Sequence, residues 1–279
     1  MILEQTRKPI FLSHILILIN VAVFLIMMFF DSSLSTLTLI RFGAKINYRI
    51  ADLELYRLVT PMFLHANLLH LGFNSYALHL FGRDTEMIFG RTRFLIIYFA
   101  AGITGTVGSF LFNDNISVGA SGAIFGLIGA NLYLFTLNKD VYRRIFGNDI
   151  FVLLGINVAY GFINPMIDNT AHMAGLFGGF LAAWSVGYRY QVKYTWKNWV
   201  ARTALILTVT GGLTFGLPAY RDSAEYFFKK GYFSAVEGQI SIALEALNTG
   251  AQRYPEDERF PSLIGEIENL IQELNLNSN

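Results

Sequence analysis

The chain contains no cysteine and few charged residues. None of its 279 residues is Cys, and Lys, Arg, Asp and Glu together make up 15% of it, whereas soluble domains average about 25%. Disulfides, thiolate metal sites and cysteine nucleophiles are therefore excluded. The net charge of +1 also provides no strong field for nucleic acid, so we expect no nucleic-acid partner.

Long apolar runs take the place of the missing charges. The hydrophobic fraction is 53% and the mean hydropathy is +0.44. A helix needs about 20 apolar residues to cross a bilayer. Seven stretches approach that length, namely 10–30, 61–82, 94–112, 118–137, 150–163, 170–188 and 199–217. The sequence therefore predicts an all-α fold in which residues 10–218 form a polytopic helix bundle in the lipid bilayer.

The distribution of Lys and Arg predicts how these spans are oriented. Basic residues occur in the connections at 1–9, 83–93, 138–149 and 189–198, and none occurs at 113–117 or 164–169. The first loop, residues 31–60, carries four basic residues on the opposite side and is expected to lie at the membrane surface. We expect a multi-pass protein of the cell membrane with a short cytoplasmic N-terminus, an uncleaved first span and an extracytoplasmic C-terminus.

After Pro218 the composition becomes that of a soluble segment, residues 219–279. Helices are expected at 220–230, 234–253 and 261–274, with Gly231 and residues 255–261 as breaks. The pattern resembles a tetratricopeptide helix pair through Gly231, Tyr232, Ala235, Ala243, Ala246 and Pro255. Because one such repeat is not stable alone, we interpret this segment as a small packing or docking module, for which a protein partner is one candidate.

A serine stands at the expected start of the fourth span, in the stretch VGASGAIFGLIG at 118–129. Two spans carry a stripe of small residues, which are Gly122, Gly126 and Ala130 in the fourth and Gly175 and Gly179 in the sixth. Such stripes let membrane helices approach closely. If the two stripes meet, Ser121 and His172 lie in first turns at the same end of the helix pair. His172 could then act as general base for a nucleophilic Ser121.

Acyl transfer also needs donors for a developing oxyanion. The helix start at Ser121 offers free backbone N–H groups. In the second span, His70 and Asn74 share one helix face and are expected at the same depth. His65 and His79 are interpreted as structural or interfacial, because their spacing is unmatched. A zinc site of His65, His70 and His79 is disfavoured, because spacings of five and nine residues do not place three imidazoles on one face. We expect no metal and no cofactor.

Each of these patterns also has a structural interpretation. Taken singly, Ser121 fits a packing serine and His172 a structural hydrogen bonder. Ser121, His172, His70 and Asn74 are, however, expected at the same membrane depth, in helices of the same direction and with complementary roles. This coincidence favours a catalytic site over separate structural roles. Asp168, ahead of the sixth span, is expected to be a solvated loop residue or a neighbour of the helix N-cap. An ionised carboxylate buried beside an imidazole would be costly without partners.

These motifs resemble those of the rhomboid intramembrane serine proteases. The resemblance covers residues 42–187 and rests on the GxSG motif at 119–122, the HxxGxxxG motif beginning at His172 and the HxxxxHxxxN motif beginning at His65. It implies a six-helix core with a seventh span, and a serine–histidine dyad without a third carboxylate. It also implies that the oxyanion site consists of the Ser121 amide, His70 and Asn74, with Gly119 and the small-residue stripes packing at the site.

The resemblance further implies a serine endopeptidase that cleaves transmembrane segments of membrane proteins. Two positions depart from the family pattern. Tyr56-Arg57 stands where the family has Trp-Arg, and Phe125 stands where some members have a Tyr that packs on the catalytic histidine. A catalytically silent homologue that binds membrane proteins is the alternative, followed by a transporter. The short fifth span is a hypothetical lateral gate for the substrate.

Overall fold

The computed structural model describes residues 11–146, 167–189 and 194–276, together with residues 152, 154, 155, 159, 161, 163 and 164. These residues form helices and no strand beyond an isolated bridge between Lys45 and Ser117. The predicted all-α class is therefore confirmed. The fifth span expected at 150–163, and with it the hypothesis of a lateral gate, lies largely outside the described residues.

The helices follow one another in this order: α1 (Leu12–Phe30), α2 (Thr36–Arg41), α3 (Asn47–Ala51), α4 (Leu68–Ala77), α5 (Arg83–Phe89), α6 (Arg91–Phe112), α7 (Ser121–Leu137), α8 (Lys139–Phe146), α9 (Asn169–Val186), α10 (Trp196–Arg221), α11 (Ala224–Val236), α12 (Ile240–Arg253) and α13 (Arg259–Leu276). Two 3₁₀ turns, Leu55–Leu58 and Thr60–Phe63, precede α4, and a π turn, Leu78–Gly82, joins α4 to α5. Within the described part of the chain, α1, α6 and α10 are long and apolar enough to cross a membrane, and α7 is apolar but shorter.

The second span begins later than the sequence predicts. Instead of a helix from residue 61, the chain forms the 3₁₀ turn at Thr60–Phe63, and the α-helix starts at Leu68. The reason is local: the Asn67 side chain accepts a hydrogen bond from the His70 N–H and so caps the helix, as asparagine does well. His65 therefore lies in the connection before α4, not on the helix itself.

The core of the bundle is the mutual packing of α6, α7 and α9, in which α9 contacts both of the other helices most extensively. A Cβ added at Gly175 would lie 2.1 Å from the Gly122 carbonyl oxygen, and one added at Gly179 would lie 2.0 Å from that of Gly126. The backbones of α7 and α9 are therefore in direct contact along both small-residue stripes. The backbone of α6 also contacts α9, because a Cβ added at Gly105 would lie 2.8 Å from the Ala171 carbonyl oxygen.

The chain divides into two compact units. The membrane unit is Met1–Ile46 with Leu55–Leu213, and the C-terminal unit is Asn47–Glu54 with Thr214–Asn279. The sequence predicts a change of composition after Pro218, but α10 continues through this proline to Arg221. The short segment 47–54, which the sequence assigns to the first loop, belongs to the C-terminal unit.

In the C-terminal unit, α11, α12 and α13 share one apolar core, which includes Phe227, Leu247 and Phe260. Gly231 is not the helix break that the sequence predicts, because α11 runs through it from Ala224 to Val236. The glycine serves helix packing instead, since a Cβ there would lie 2.4 Å from the Leu247 side chain. The first break falls at residues 237–239, and α13 begins at Arg259, ahead of Pro261.

Residues 47–54 are bound to α11 by charge and ring contacts. The Arg49 guanidinium donates to both carboxylate oxygens of Glu237, at 2.6 and 2.7 Å. Lys230 donates to the Asp52 carboxylate at 2.9 Å. The Tyr48 ring stacks on Phe233 with 6.0 Å between centroids. A segment of the first loop is thus an integral part of the C-terminal unit.

The contact between α7 and α9 leads to a prediction about Gly179. Gly179→Ala places a methyl group against the Gly126 carbonyl, and backbone cannot move aside as a side chain can. We expect a loss of about 1–3 kcal/mol in stability, typical of overpacking, seen as a lower thermal midpoint in detergent. Gly211→Ala in α10 is the matched control because nothing lies within 4 Å of its added Cβ. Equal behaviour of the two variants would contradict the close contact.

The ion pair in the C-terminal unit leads to a second prediction. The Arg49 and Glu237 side chains are only 20% and 15% exposed, so Glu237→Ala leaves a half-buried guanidinium with one good partner fewer. We expect a loss of about 1–2 kcal/mol, between the values for exposed and buried pairs. This loss of stability should appear as faster amide hydrogen exchange in both residues 47–54 and α11. The exposed Glu245→Ala in α12 is the control, and unchanged exchange in 47–54 would show that the pair does not hold this segment.

Candidate active site

Ser121 is the first residue of α7, as the sequence predicts. The two residues before it form a tight turn into the helix. Gly119 has φ +126°, a backbone conformation that only glycine adopts without strain. Its N–H donates to the Pro61 carbonyl oxygen at 2.8 Å, which ties this turn to the connection ahead of α4. The helix start thereby presents the Ser121 hydroxyl together with free backbone N–H groups.

His172 lies in the first turn of α9, and its Nε2 is 2.8 Å from the Ser121 Oγ. The hydroxyl donates this hydrogen bond when the imidazole proton is on Nδ1. Nδ1 is buried and has no hydrogen-bond partner within the described part of the chain. The pair therefore has the geometry of a nucleophile and a base, and no orienting group is bonded to the imidazole as in a three-membered triad.

Phe125 supports the imidazole from one face. It follows Ser121 by one turn of α7, and its ring stacks on His172 with 4.1 Å between centroids and 11° between planes. The expectation that this ring still packs on the histidine without a tyrosine hydroxyl is confirmed. A stacked aromatic ring holds the imidazole in the plane of the hydrogen bond, and it favours the charged ring through a cation–π interaction.

His70 and Asn74 face the turn that precedes Ser121. A Cβ added at Gly119 would lie 2.7 Å from the His70 Nε2 and 3.7 Å from the Asn74 Nδ2. Asn74 is held in place because its Nδ2 donates to the His70 carbonyl oxygen at 3.0 Å. Both predicted donors are thus next to the backbone that leads into Ser121. Gly119 is required here twice, for its φ and for the space its missing Cβ leaves to His70.

Two buried residues ahead of α4, Arg57 and His65, hold the chain that leads to His70. Arg57 is 1% exposed, and its guanidinium donates to the carbonyl oxygens of Ile40 and Ala44 at 2.8 Å each. It also lies over the ring of the exposed Tyr56, 5.2 Å from the centroid. The buried His65 ring meets the His70 ring edge-on at 5.1 Å. The Tyr56-Arg57 pair, where the sequence departs from the family pattern, is thus structural: the Arg57 guanidinium holds the first loop through two of its backbone carbonyls.

Lys45 is a buried residue for which the sequence pattern predicts no role. Its ammonium donates to the carbonyl oxygens of Asn113 and Asn115, which anchors the connection between α6 and α7. Lys45 also lines a small cavity next to Ser121, together with Thr106, Ser109, Ser117 and several apolar residues and glycines. The sequence does hint at a special role for Lys45. Loops on the extracytoplasmic side are usually poor in basic residues, and Lys45 lies in such a loop.

Asp168 is the N-cap of α9, not a solvated loop residue as one expectation had it. Its carboxylate accepts hydrogen bonds from the Thr170 hydroxyl at 2.6 Å, from the Ala171 N–H at 3.0 Å and from the Ser109 hydroxyl. Burial raises the pKa of the Asp168 carboxyl, but these hydrogen bonds outweigh burial and lower it to about 2. The carboxylate is therefore ionised at neutral pH and ties the start of α9 to α6.

The remaining histidines pair with each other away from the dyad. His14 Nε2 lies 2.9 Å from His79 Nδ1, so these two imidazoles share a hydrogen bond. His79 follows His70 by nine residues, about 13 Å along a helix. Among the described residues, no group of three or more His, Asp or Glu side chains is placed to hold a metal ion.

Comparison with known proteins decides the family. The Rhomboid domain model matches residues 52–189. YdcA of Bacillus subtilis (strain 168) is 38% identical over 150 residues, which cover 75% of YdcA and 53% of this chain. The chain belongs to the rhomboid family. With its apolar helices, this rhomboid is a multi-pass membrane protein, and the resemblance that the three motifs indicate is confirmed.

Two further relatives of this rhomboid differ from it in length. Rhomboid protease GluP of Bacillus subtilis (strain 168) is 41% identical over 222 residues, which cover 79% of this chain but only 43% of GluP. RHOMBOID-like protein 6, mitochondrial, of Arabidopsis thaliana is 35% identical over 184 residues, 59% of this chain and 60% of that protein. The chain thus spans less than two thirds of either relative.

The geometry predicts an unusually reactive Ser121. We expect a serine-directed fluorophosphonate to label the purified protein in detergent at Ser121, because His172 accepts the hydroxyl proton as the phosphonate bond forms. His172→Ala should slow labelling by about 10²–10⁴-fold, the usual contribution of a general base. His14→Ala removes an imidazole that bonds His79 instead and serves as control. Labelling at full rate in His172→Ala, read by peptide mapping, would contradict the assignment.

Proposed function

We propose that this rhomboid is an intramembrane serine endopeptidase that cleaves transmembrane segments of membrane proteins. The observation that carries the proposal is the 2.8 Å hydrogen bond between the Ser121 hydroxyl and His172 Nε2. It joins the first turns of two helices whose backbones touch through glycines, so the pair is held rigidly. Family membership, and a relative named as a rhomboid protease, support the same reading.

The proposed reaction begins when the Ser121 Oγ attacks the scissile carbonyl carbon and His172 takes its proton. The tetrahedral oxyanion is stabilised by the Ser121 N–H and by the side chains of His70 and Asn74, which face the turn before the nucleophile. His172 then protonates the leaving amine, which gives an acyl-enzyme. Water hydrolyses this intermediate with His172 as base again. Ser121 lines a small cavity together with Thr106, Ser109 and Ser117, and we place the attacking water there.

The substrates that fit this site are helical segments that unwind easily. In a transmembrane helix every peptide carbonyl is hydrogen-bonded within the helix, so a carbonyl must be freed before Ser121 can attack it. Small or helix-weakening residues near the cleaved bond lower the free energy of that step. We therefore propose membrane proteins with such residues near a membrane surface as the substrate class.

We further propose that the chain lies in the cell membrane with its active site on the extracytoplasmic side. The helices α4, α7 and α9 all begin at the site, and the connections ahead of α7 and α9 contain no basic residue. Lys45 and Arg57 bind backbone carbonyls inside the protein, so they weigh little against this orientation. Residues 1–9 are then cytoplasmic, 10–218 form the protease domain, and 219–279 form an extracytoplasmic helical segment that docks a protein partner.

Cleavage of a model transmembrane substrate in liposomes tests the proposal. Wild-type protein should cleave it, and Ser121→Ala and His172→Ala should each abolish cleavage. His70→Ala and Asn74→Ala should lower kcat by about 10²–10³-fold, as the loss of one oxyanion donor does. Ser33→Ala, which changes an exposed serine near α2, is the control and should cleave as the wild type does.

Three results would contradict the proposal. Cleavage that persists in Ser121→Ala or His172→Ala would exclude the dyad. Substrate binding without cleavage by the wild-type protein would favour a catalytically silent homologue. Solute uptake into liposomes that is unaffected by Ser121→Ala would favour a transporter.

A further inference from the structure

The two helix starts at the site have opposite effects on the two reacting groups. α7 and α9 both begin here, and the N-terminus of a helix carries about half a positive elementary charge. This charge stabilises an oxyanion next to Ser121. It opposes the imidazolium that His172 must become when it accepts the proton, as in helix-terminal histidines that are held neutral. A base in this position needs a compensating negative charge.

Asp168 places a negative charge at that point. It is the N-cap of α9, four residues before His172, so the two side chains lie about one turn apart on the same side of the helix. The carboxylate accepts hydrogen bonds from Ser109, Thr170 and the Ala171 N–H, and these keep it ionised although it is half-buried. It does not touch His172 Nδ1, which has no partner in the described part of the chain.

We propose that Asp168 is a positioning residue of the Ser121–His172 dyad, whose carboxylate offsets the positive end of α9 and thereby stabilises the imidazolium form of His172. It acts through the helix start and through space, without contact with the substrate. This inference rests on the proposed function, and it adds a residue that the dyad and its oxyanion donors do not include.

The same carboxylate also fixes where His172 stands. Its bond from Ser109 connects the first turn of α9 to α6, at the level where Gly105 of α6 meets the Ala171 carbonyl. The Asn113 side chain, in the connection after α6, donates to it as well. Asp168 therefore has two separable effects: it holds α9 in register with α6, and it supplies charge.

The ionisable side chains that act on His172 come from two elements. Asp168 is on its own helix start, and His70 is on α4, and both interact with it electrostatically. The face that α7 presents to His172 consists of the Ser121 hydroxyl and the uncharged Phe125 ring, and Ser109 of α6 bonds Asp168. Asp168 is therefore the negatively charged group among these neighbours, and changing it alters the charge without altering the imidazole contacts.

Three variants separate the charge from the cap. Asp168→Asn keeps a good N-cap and removes the charge. Asp168→Ala removes both. Ser109→Ala keeps the charge and removes one of its bonds to α6. For Asp168→Asn we expect kcat about tenfold lower with little change in KM, and an acid limb of the pH–rate profile shifted to lower pH by about half a unit or more. Its thermal midpoint should lie above that of Asp168→Ala, because the amide oxygen still caps α9 although the amide nitrogen cannot accept the Ser109 bond.

The other two variants should behave differently. Ser109→Ala should lower the thermal midpoint and leave the acid limb in place, whereas Asp168→Ala should change both. A second measurement does not depend on cleavage: in the Ser121→Ala protein, the His172 ring nitrogens can be titrated by NMR with and without Asp168→Asn. We expect the titration midpoint to move to lower pH when the carboxylate is lost.

The outcomes separate this inference from the proposed function. An Asp168→Asn protein with unchanged kcat, acid limb and NMR titration would overturn the electrostatic role and leave Asp168 as a cap only. A wild-type protein that cleaves no substrate would refute the protease activity. The NMR titration would still decide whether Asp168 supports the charged form of His172.

Discussion

The arrangement of the site depends on the backbone contact between α7 and α9. Gly122 and Gly126 meet Gly175 and Gly179 so closely that an added Cβ at either of the last two would lie about 2 Å from a carbonyl oxygen. At this separation, side chains in the first turns of the two helices reach each other without long linkers. The 2.8 Å bond from Ser121 to His172 is a consequence of that contact, and Gly105 of α6 extends it to a third helix.

The sequence predicts this contact because its signal is local and repeated. Small residues at helical spacing identify a face, and a serine or histidine in the first turn identifies an end of the helix. Other features depend on partners far away in the chain. Nothing near Gly231 reveals that Leu247 packs against it, and nothing near Asp168 reveals Ser109 as its partner. The late start of α4 has a local cause, the Asn67 cap, which the apolar run from Pro61 hides.

The first loop shows why counts of basic residues are incomplete as a guide to topology. Four Lys and Arg residues in residues 31–60 point to the opposite side from the remaining connections. In the structure, Lys45 and Arg57 are buried and donate to backbone carbonyls, and Arg49 is paired with Glu237. A cation that is bound by fixed acceptors inside the protein does not act as a free charge at the membrane surface.

A serine–histidine pair without a third member raises the question of what stabilises the charged imidazole. A carboxylate hydrogen-bonded to Nδ1 would have to be desolvated beside the ring, at high cost inside a membrane protein. Asp168 avoids this cost, because the helix start and Ser109 satisfy its oxygens while its charge still acts over one helix turn. Phe125 contributes a polarisable face without any charge. A cap and a ring together can thus take the role of the third residue, and no carboxylate has to be desolvated against the imidazole.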